Sequence, residues 1–180
     1  MTRKEFKELV SYEVFSEYEN AKGRLNAIDR FWRLHLSPEG NAVYLIRKKQ
    51  LFESRGGVYS LLAHIIRIKL MRRYGIHINQ KATIGKGLVI VHASTITIGA
   101  CTIGNNFTVY HNCTVGAKAR ANGATPTVGN NVTMYTNSSI IGGVKISNGV
   151  SIGAHSVAIH DCLKTGTYIG CPARLQEKRL

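Results

Sequence analysis

Two of the seven histidines stand out as acid–base candidates. His92 lies two residues after Ile90, and His111 lies two residues after Val109. A histidine titrating near neutrality can take a hydroxyl proton while the oxygen attacks a carbonyl carbon. A lone histidine is equally a surface side chain on a strand. Equal offsets from an aliphatic residue would put the two rings at equivalent points of neighbouring coils, about 4.8 Å from strand to strand. Rings so placed resist carrying two positive charges, which favours a neutral base. For His111 a second reading stays open, as a polar lining of the cleft. No carboxylate occurs in residues 76–160. Whatever orients His92 is therefore a backbone carbonyl, Asn79 or another polar side chain, or an acid from the N-terminal part or a neighbouring chain.

Metal and thiol chemistry have weaker signals. His111, His155 and His160 could be imagined as zinc ligands, but His155 and His160 occupy different offsets in their repeats, so no metal is expected. Cys101, Cys113, Cys162 and Cys171 form no CxxC pair. Met1 is followed by Thr2, Arg3, Lys4 and Glu5 with no apolar stretch, so reduced thiols and a cytoplasmic location are expected.

The elements that must position these residues follow from a change of period near Gly75. Before it, apolar residues recur at helical spacing. Phe6, Leu9, Val10, Val14 and Tyr18 mark one helix, and Leu25, Ile28, Phe31, Trp32 and Leu34 a second. Ser37 and Pro38 form a start signal for a third, expected to reach Lys49 with its basic end at the negative pole of the dipole. A fourth is expected over 58–73, after Gly56 and Gly57. Residues 1–75 therefore read as an N-terminal helical segment.

Over 76–180 branched aliphatics recur every six residues: Ile78, Ile84, Ile90 and Ile96, then Ile103, Val109 and Val115, then Val128 to Ala158 without a break. Neither a helix nor a two-residue alternation has that period. Short strands joined by turns, three per coil with aliphatics inward, do: a parallel β-helix of hexapeptide repeats. Ile96 to Ile103 is one residue too long. Val115 to Val128 is seven too long, which predicts a basic loop over 117–127 on the outer face.

Charge limits the partners. Lys and Arg number 24 against 10 Asp and Glu, a formal charge of +14, so anionic partners are favoured. The coils carry no aromatic stacking platform, and no nucleic acid is expected. Residues 87–117 lack charge but are rich in Thr, Asn, Ser and His, which hydrocarbon does not tolerate. Peripheral association of helix 58–73 with an anionic membrane through Arg67, Lys69, Arg72 and Arg73 is a further reading; packing on protein, with the basic groups in solvent, is the stronger one.

The segment Gly87 to Ala93, then Thr114, Val115 and Gly116, and the ending Ile169 to Arg174 resemble the serine acetyltransferase branch of the hexapeptide acyltransferases. The resemblance covers residues 75–175. It implies a left-handed β-helix, mainly β, in a homotrimer, with acetyl-CoA as acyl donor and His92 as general base. It also implies that backbone groups around Gly116, Ala117, Thr136, Asn137 and Ala154 face the pantetheine arm. Lys164 and Arg174 could meet its phosphates or simply be solvated.

The chain departs from that branch where the acceptor should bind. His77 stands fifteen residues before His92, where the family has an orienting Asp. Val91 replaces an Asp, and Ala124 and Thr125 stand where an Arg-His pair precedes the proline. Serine recognition needs ionic partners for its ammonium and carboxylate, which Val91 and Ala124 cannot supply. A larger small-molecule or glycan acceptor is therefore expected, a sugar hydroxyl in surface polysaccharide biosynthesis, with His77, Asn79 and Thr125 near it. Serine O-acetylation is the alternative.

Overall fold

A computed structural model of the protein describes residues 1–118 and 123–176. The chain divides into two compact units, Met1–Ile76 and His77–Leu180.

The first unit is helical. Helix α1 (Arg3–Val10) begins with a reciprocal cap: Thr2 Oγ1 accepts from the Glu5 N–H, and the Glu5 carboxylate accepts from the Thr2 N–H. A π-helical turn, Ser11–Phe15, joins it to α2 (Ser16–Lys22). The extra residue in that turn rotates the apolar face, so Val10, Val14 and Phe15 are buried while Phe6 and Tyr18 are only half-buried. Helix α3 (Ala27–His35) carries Ile28, Phe31 and Trp32 on an exposed face, and Leu25 precedes it.

Helix α4 (Pro38–Glu53) starts where Ser37 accepts from the Gly40 N–H, but runs four residues past the expected end. Two members of its basic run meet carboxylates, and Lys48 lies over the Tyr44 and Phe52 rings. Buried Arg47 donates through Nε and Nη2 to Glu13, at 2.8 and 2.6 Å, and Lys49 pairs with Glu53 at 2.7 Å. Helix α5 (Val58–Tyr74) ends at Gly75, whose left-handed φ of 64° lets its N–H reach the Leu70 and Met71 carbonyls. Ala63, Ile66, Leu70 and Tyr74 form its buried stripe, and the Tyr74 hydroxyl donates to Asn41 Oδ1 on α4 at 2.9 Å.

The second unit is a left-handed parallel β-helix of about five turns. One wall stacks β1 (His77–Ile78), β4 (Thr97–Ile98), β7 (Thr114–Gly116), β10 (Ser139–Ile141) and β13 (Val157–Ala158). A second stacks β2 (Thr83–Ile84), β5 (Thr102–Ile103), β8 (Thr127–Val128) and β11 (Lys145–Ile146). The third stacks β3 (Val89–Val91), β6 (Thr108–Tyr110), β9 (Thr133–Met134), β12 (Val150–Ile152) and β14 (Gly166–Ile169), closed by antiparallel β15 (Arg174–Leu175).

The aliphatic of each hexad points inward and stacks on its counterpart one coil away: Ile90 on Val109, Val109 on Met134, Met134 on Ile152. The register break lies elsewhere than expected. Ile98, not Ile96, pairs with Ile78 and Val115. Ile96 takes the inward position two residues earlier in the repeat and is also buried. The connection from Ile90 to Ile98 is thus two residues longer than a hexad, and Ile98 to Ile103 one shorter.

One corner explains why glycine follows the aliphatic at Gly85, Gly104 and Gly129. Asn105, Asn130 and Asn148 each accept through Oδ1 an N–H from the preceding coil, those of Lys86, Asn105 and Asn130, at 2.7–2.9 Å. A Cβ at Gly85, Gly104 or Gly129 would lie 2.5–2.6 Å from these oxygens. Only glycine leaves room for the ladder.

Candidate active site

The wall-three to wall-one corner gathers the residues with acid–base capacity. Val91 is in register with Tyr110, so His92 and His111 are neighbours in consecutive coils, with ring centroids 5.6 Å apart and planes at 65°. They meet edge-on and do not stack face to face. The same register carries the column on to Thr136 and Ala154, each two residues beyond an inward aliphatic. Thr136 Oγ1 lies 2.7 Å from His111 Nε2 and 3.4 Å from the His111 carbonyl oxygen. The Asn137 carboxamide nitrogen lies 3.2 Å from His155 Nε2, one step around the turn.

The two histidines differ in access. His92 is exposed, and no hydrogen bond reaches its ring among the described residues. His111 is half-buried; Nε2 is engaged by Thr136, and Nδ1 is sealed from solvent with no hydrogen-bond partner. The longer Ile90–Ile98 connection also gives the two corners different backbones. In the later coils the left-handed residue of the corner is three beyond the aliphatic, at Asn112, Asn137 and His155. In the first coil His92 itself takes that conformation, with φ 57°, and Thr95 follows with φ 52°. Left-handed backbone is uncommon for non-glycine residues and is concentrated at functional sites.

The other expected site residues are spread over the unit. Gly116 ends β7, its carbonyl accepting from Gly142 N–H at 2.8 Å, and a Cβ there would meet nothing within 4 Å. Ala117 and Ala154 are exposed. His77 and Asn79 lie on or just after β1, both exposed. Asn79 Oδ1 accepts from Lys81 N–H at 2.8 Å, closing a local turn, and no hydrogen bond joins it to His92 among the described residues. Lys164 is exposed, and its backbone N–H and C=O both bond the Tyr168 hydroxyl. Arg174 is exposed in β15 opposite Ile169.

In the 117–127 loop, residues 119–122 lie outside the described residues. Thr125 is exposed, and Ala124 folds back so closely that a Cβ at Gly143 would stand 2.5 Å from its own. Among the described residues of this unit the single carboxylate is Asp161, which accepts from Lys145 N–H at 2.8 Å. No group of three His, Cys, Asp or Glu suited to a metal ion occurs among the described residues.

The Thr136 side chain is the contact that sequence reasoning missed; only its backbone had been assigned a role. Its offset from Met134 equals those of His92 and His111, so the repeat already contained the signal. The buried thiols are poor nucleophiles. Desolvation pushes Cys101 up to about 12, and burial with the nearby Asp161 charge pushes Cys162 up to about 11; burial raises Cys113 as well.

Solved structures share the fold. A crystal structure of Neisseria gonorrhoeae serine acetyltransferase matches 99% of this chain and 69% of its own, with TM-score 0.82 and 24% identity. A serine acetyltransferase in complex with CoA matches with TM-score 0.78, at 19% identity over 97% of this chain and 70% of its own. In sequence, the serine acetyltransferase of Bacillus subtilis strain 168 is 36% identical over 103 residues, or 56% of this chain and 48% of that protein. The chain thus spans about half the length of that relative. The serine acetyltransferase of Staphylococcus epidermidis RP62A is 33% identical over 144 residues, covering 70% of this chain and 68% of that one. No family model matches the chain.

Proposed function

The chain belongs to the serine acetyltransferase family, and from that premise we propose that it transfers the acetyl group of acetyl-CoA to a hydroxyl, with His92 as general base. The observation that carries the reading is the unequal access of the paired rings. His92 is open to a substrate, whereas both nitrogens of His111 are engaged or sealed. As the acceptor oxygen attacks the thioester carbonyl, His92 takes its proton. Collapse of the tetrahedral intermediate breaks the C–S bond, and the departing CoA thiolate takes the proton back.

For the donor, the open space beside the Gly116 Cα and the exposed Ala117 and Ala154 leave room for the pantetheine arm, beside Thr136 and Asn137. Exposed Lys164 and Arg174 supply charge for its phosphates. A homotrimer, with the donor groove between neighbouring β-helices, and a cytoplasmic location belong to the same reading.

For the acceptor, the names of the relatives favour serine, with Thr125, His77 and Asn79 as the side chains facing it. A sugar hydroxyl is the second reading, favoured by one observation: Val91 and Ala124 are apolar where a zwitterion needs charged partners. The surface-polysaccharide setting expected from sequence has no counterpart among the relatives named above, which carry the serine acetyltransferase name. The test is release of free CoA thiol from acetyl-CoA with L-serine and with a panel of sugars and nucleotide sugars. Turnover with serine supports the first reading and turnover with sugars alone the second. Absence of turnover with every acceptor overturns acetyl transfer.

A further inference from the structure

We propose that Thr136 is a positioning residue that holds His111 in a single tautomer, and that His111 so held sets the plane of His92. The inference rests on the reading of His92 as base. It supplies what the carboxylate-free coils lack, an orienting partner for that base.

The tautomer follows from counting donors. A proton on His111 Nδ1 would be a buried N–H with no acceptor, and such orphans are rare in folded proteins. A proton on Nε2 is instead given to Thr136 Oγ1, 2.7 Å away. The Thr136 hydroxyl then gives its own proton to the His111 carbonyl oxygen at 3.4 Å. That carbonyl also accepts the Asn137 N–H at 3.2 Å, so the coil below holds both the ring and the backbone of His111. The ring is thereby held at Nε2 and at its backbone, and its edge contact with His92 is the one ring contact His92 has among the described residues. Thr136 touches neither acceptor nor proton in this scheme. It acts two steps away, as do the partners that orient reacting histidines in general.

Kinetics and the tautomer itself test the proposal. Thr136→Val keeps the shape and removes the hydroxyl; it should lower kcat about five- to tenfold, with the KM for acetyl-CoA unchanged. Thr136→Ser should restore kcat. In a double-mutant cycle, adding Thr136→Val to His111→Ala should cost nothing further, because Thr136 acts through His111. Long-range ¹H–¹⁵N spectra of the full-length protein should show His111 protonated at Nε2 in the wild type and mixed in Thr136→Val. Additive kinetics, an altered acetyl-CoA KM at unchanged kcat, or an Nδ1-protonated His111 each overturns the proposal. If His92→Ala stays active, the base reading fails separately, and the spectra still judge the Thr136–His111 bond.

Discussion

Replacing His92 isolates the chemistry from the fold. His111 cannot substitute for the missing ring: Thr136 holds its Nε2, and its Nδ1 is sealed from solvent. The full contribution of a positioned base should therefore be lost, about 10²–10⁴ in kcat, which is roughly 2.7–5.4 kcal/mol of transition-state stabilisation. Folding should be nearly untouched, because the ring is exposed. The backbone complicates one variant, since alanine at φ 57° adds left-handed strain of about 1 kcal/mol. Asparagine tolerates that region, so His92→Asn should show the kinetic loss with an unchanged melting temperature. Acetyl-CoA KM should hold in both variants. The assay is CoA-thiol release at saturating donor, with thermal unfolding as the control. His92→Asn with near-normal kcat, or an isolated acetyl-enzyme, would falsify direct base-assisted transfer.

The remaining expectations concern stability, thiols, the loop and assembly. Arg47→Met strips the buried Glu13 carboxylate of its bidentate partner and should cost about 3–5 kcal/mol in urea unfolding; an unchanged midpoint would show that the pair contributes nothing. A thiol reagent should find Cys171 rapidly and the buried Cys101, Cys113 and Cys162 only on unfolding. Those three thiols ionise higher in the folded protein than their ordinary value of 9.0. The unfolded state thus loses protons first, and stability should be flat up to about pH 9 and fall above it, with denaturant midpoints against pH as the measurement. Gly143→Val displaces Ala124 and the adjoining Thr125, and should raise the acceptor KM while sparing that for acetyl-CoA; the opposite pattern would place the loop on the donor side. Light scattering should give about three times the 19.8 kDa chain mass, and a monomer at micromolar concentration would remove the intersubunit groove.

Much of this protein is legible in its sequence because a solenoid makes each contact nearly local. A six-residue period states which side chains point inward, and equal offsets from Ile90 and Val109 sufficed to put His92 and His111 side by side. Helix starts were legible for the same reason: the Ser37 cap depends on neighbours three residues away. The misread places are those where a distant residue decides. Ile96 and Ile98 both fit an inward position, and only pairing with Ile78 and Val115 one coil away selects Ile98. Helix α4 continues past Lys49, where Glu13 and Glu53 pair with Arg47 and Lys49.

The site divides along the same line. Period and residue type determine that a His–His–Thr column exists, since each member sits two residues beyond an inward aliphatic. Tertiary structure decides what the members do. The turn with two extra residues puts His92 in left-handed backbone with its ring exposed, while the coil below engages His111. The physical reason is that a repeat specifies position along the coil, whereas access and hydrogen-bond partnership depend on the turn conformation and on the neighbouring coil.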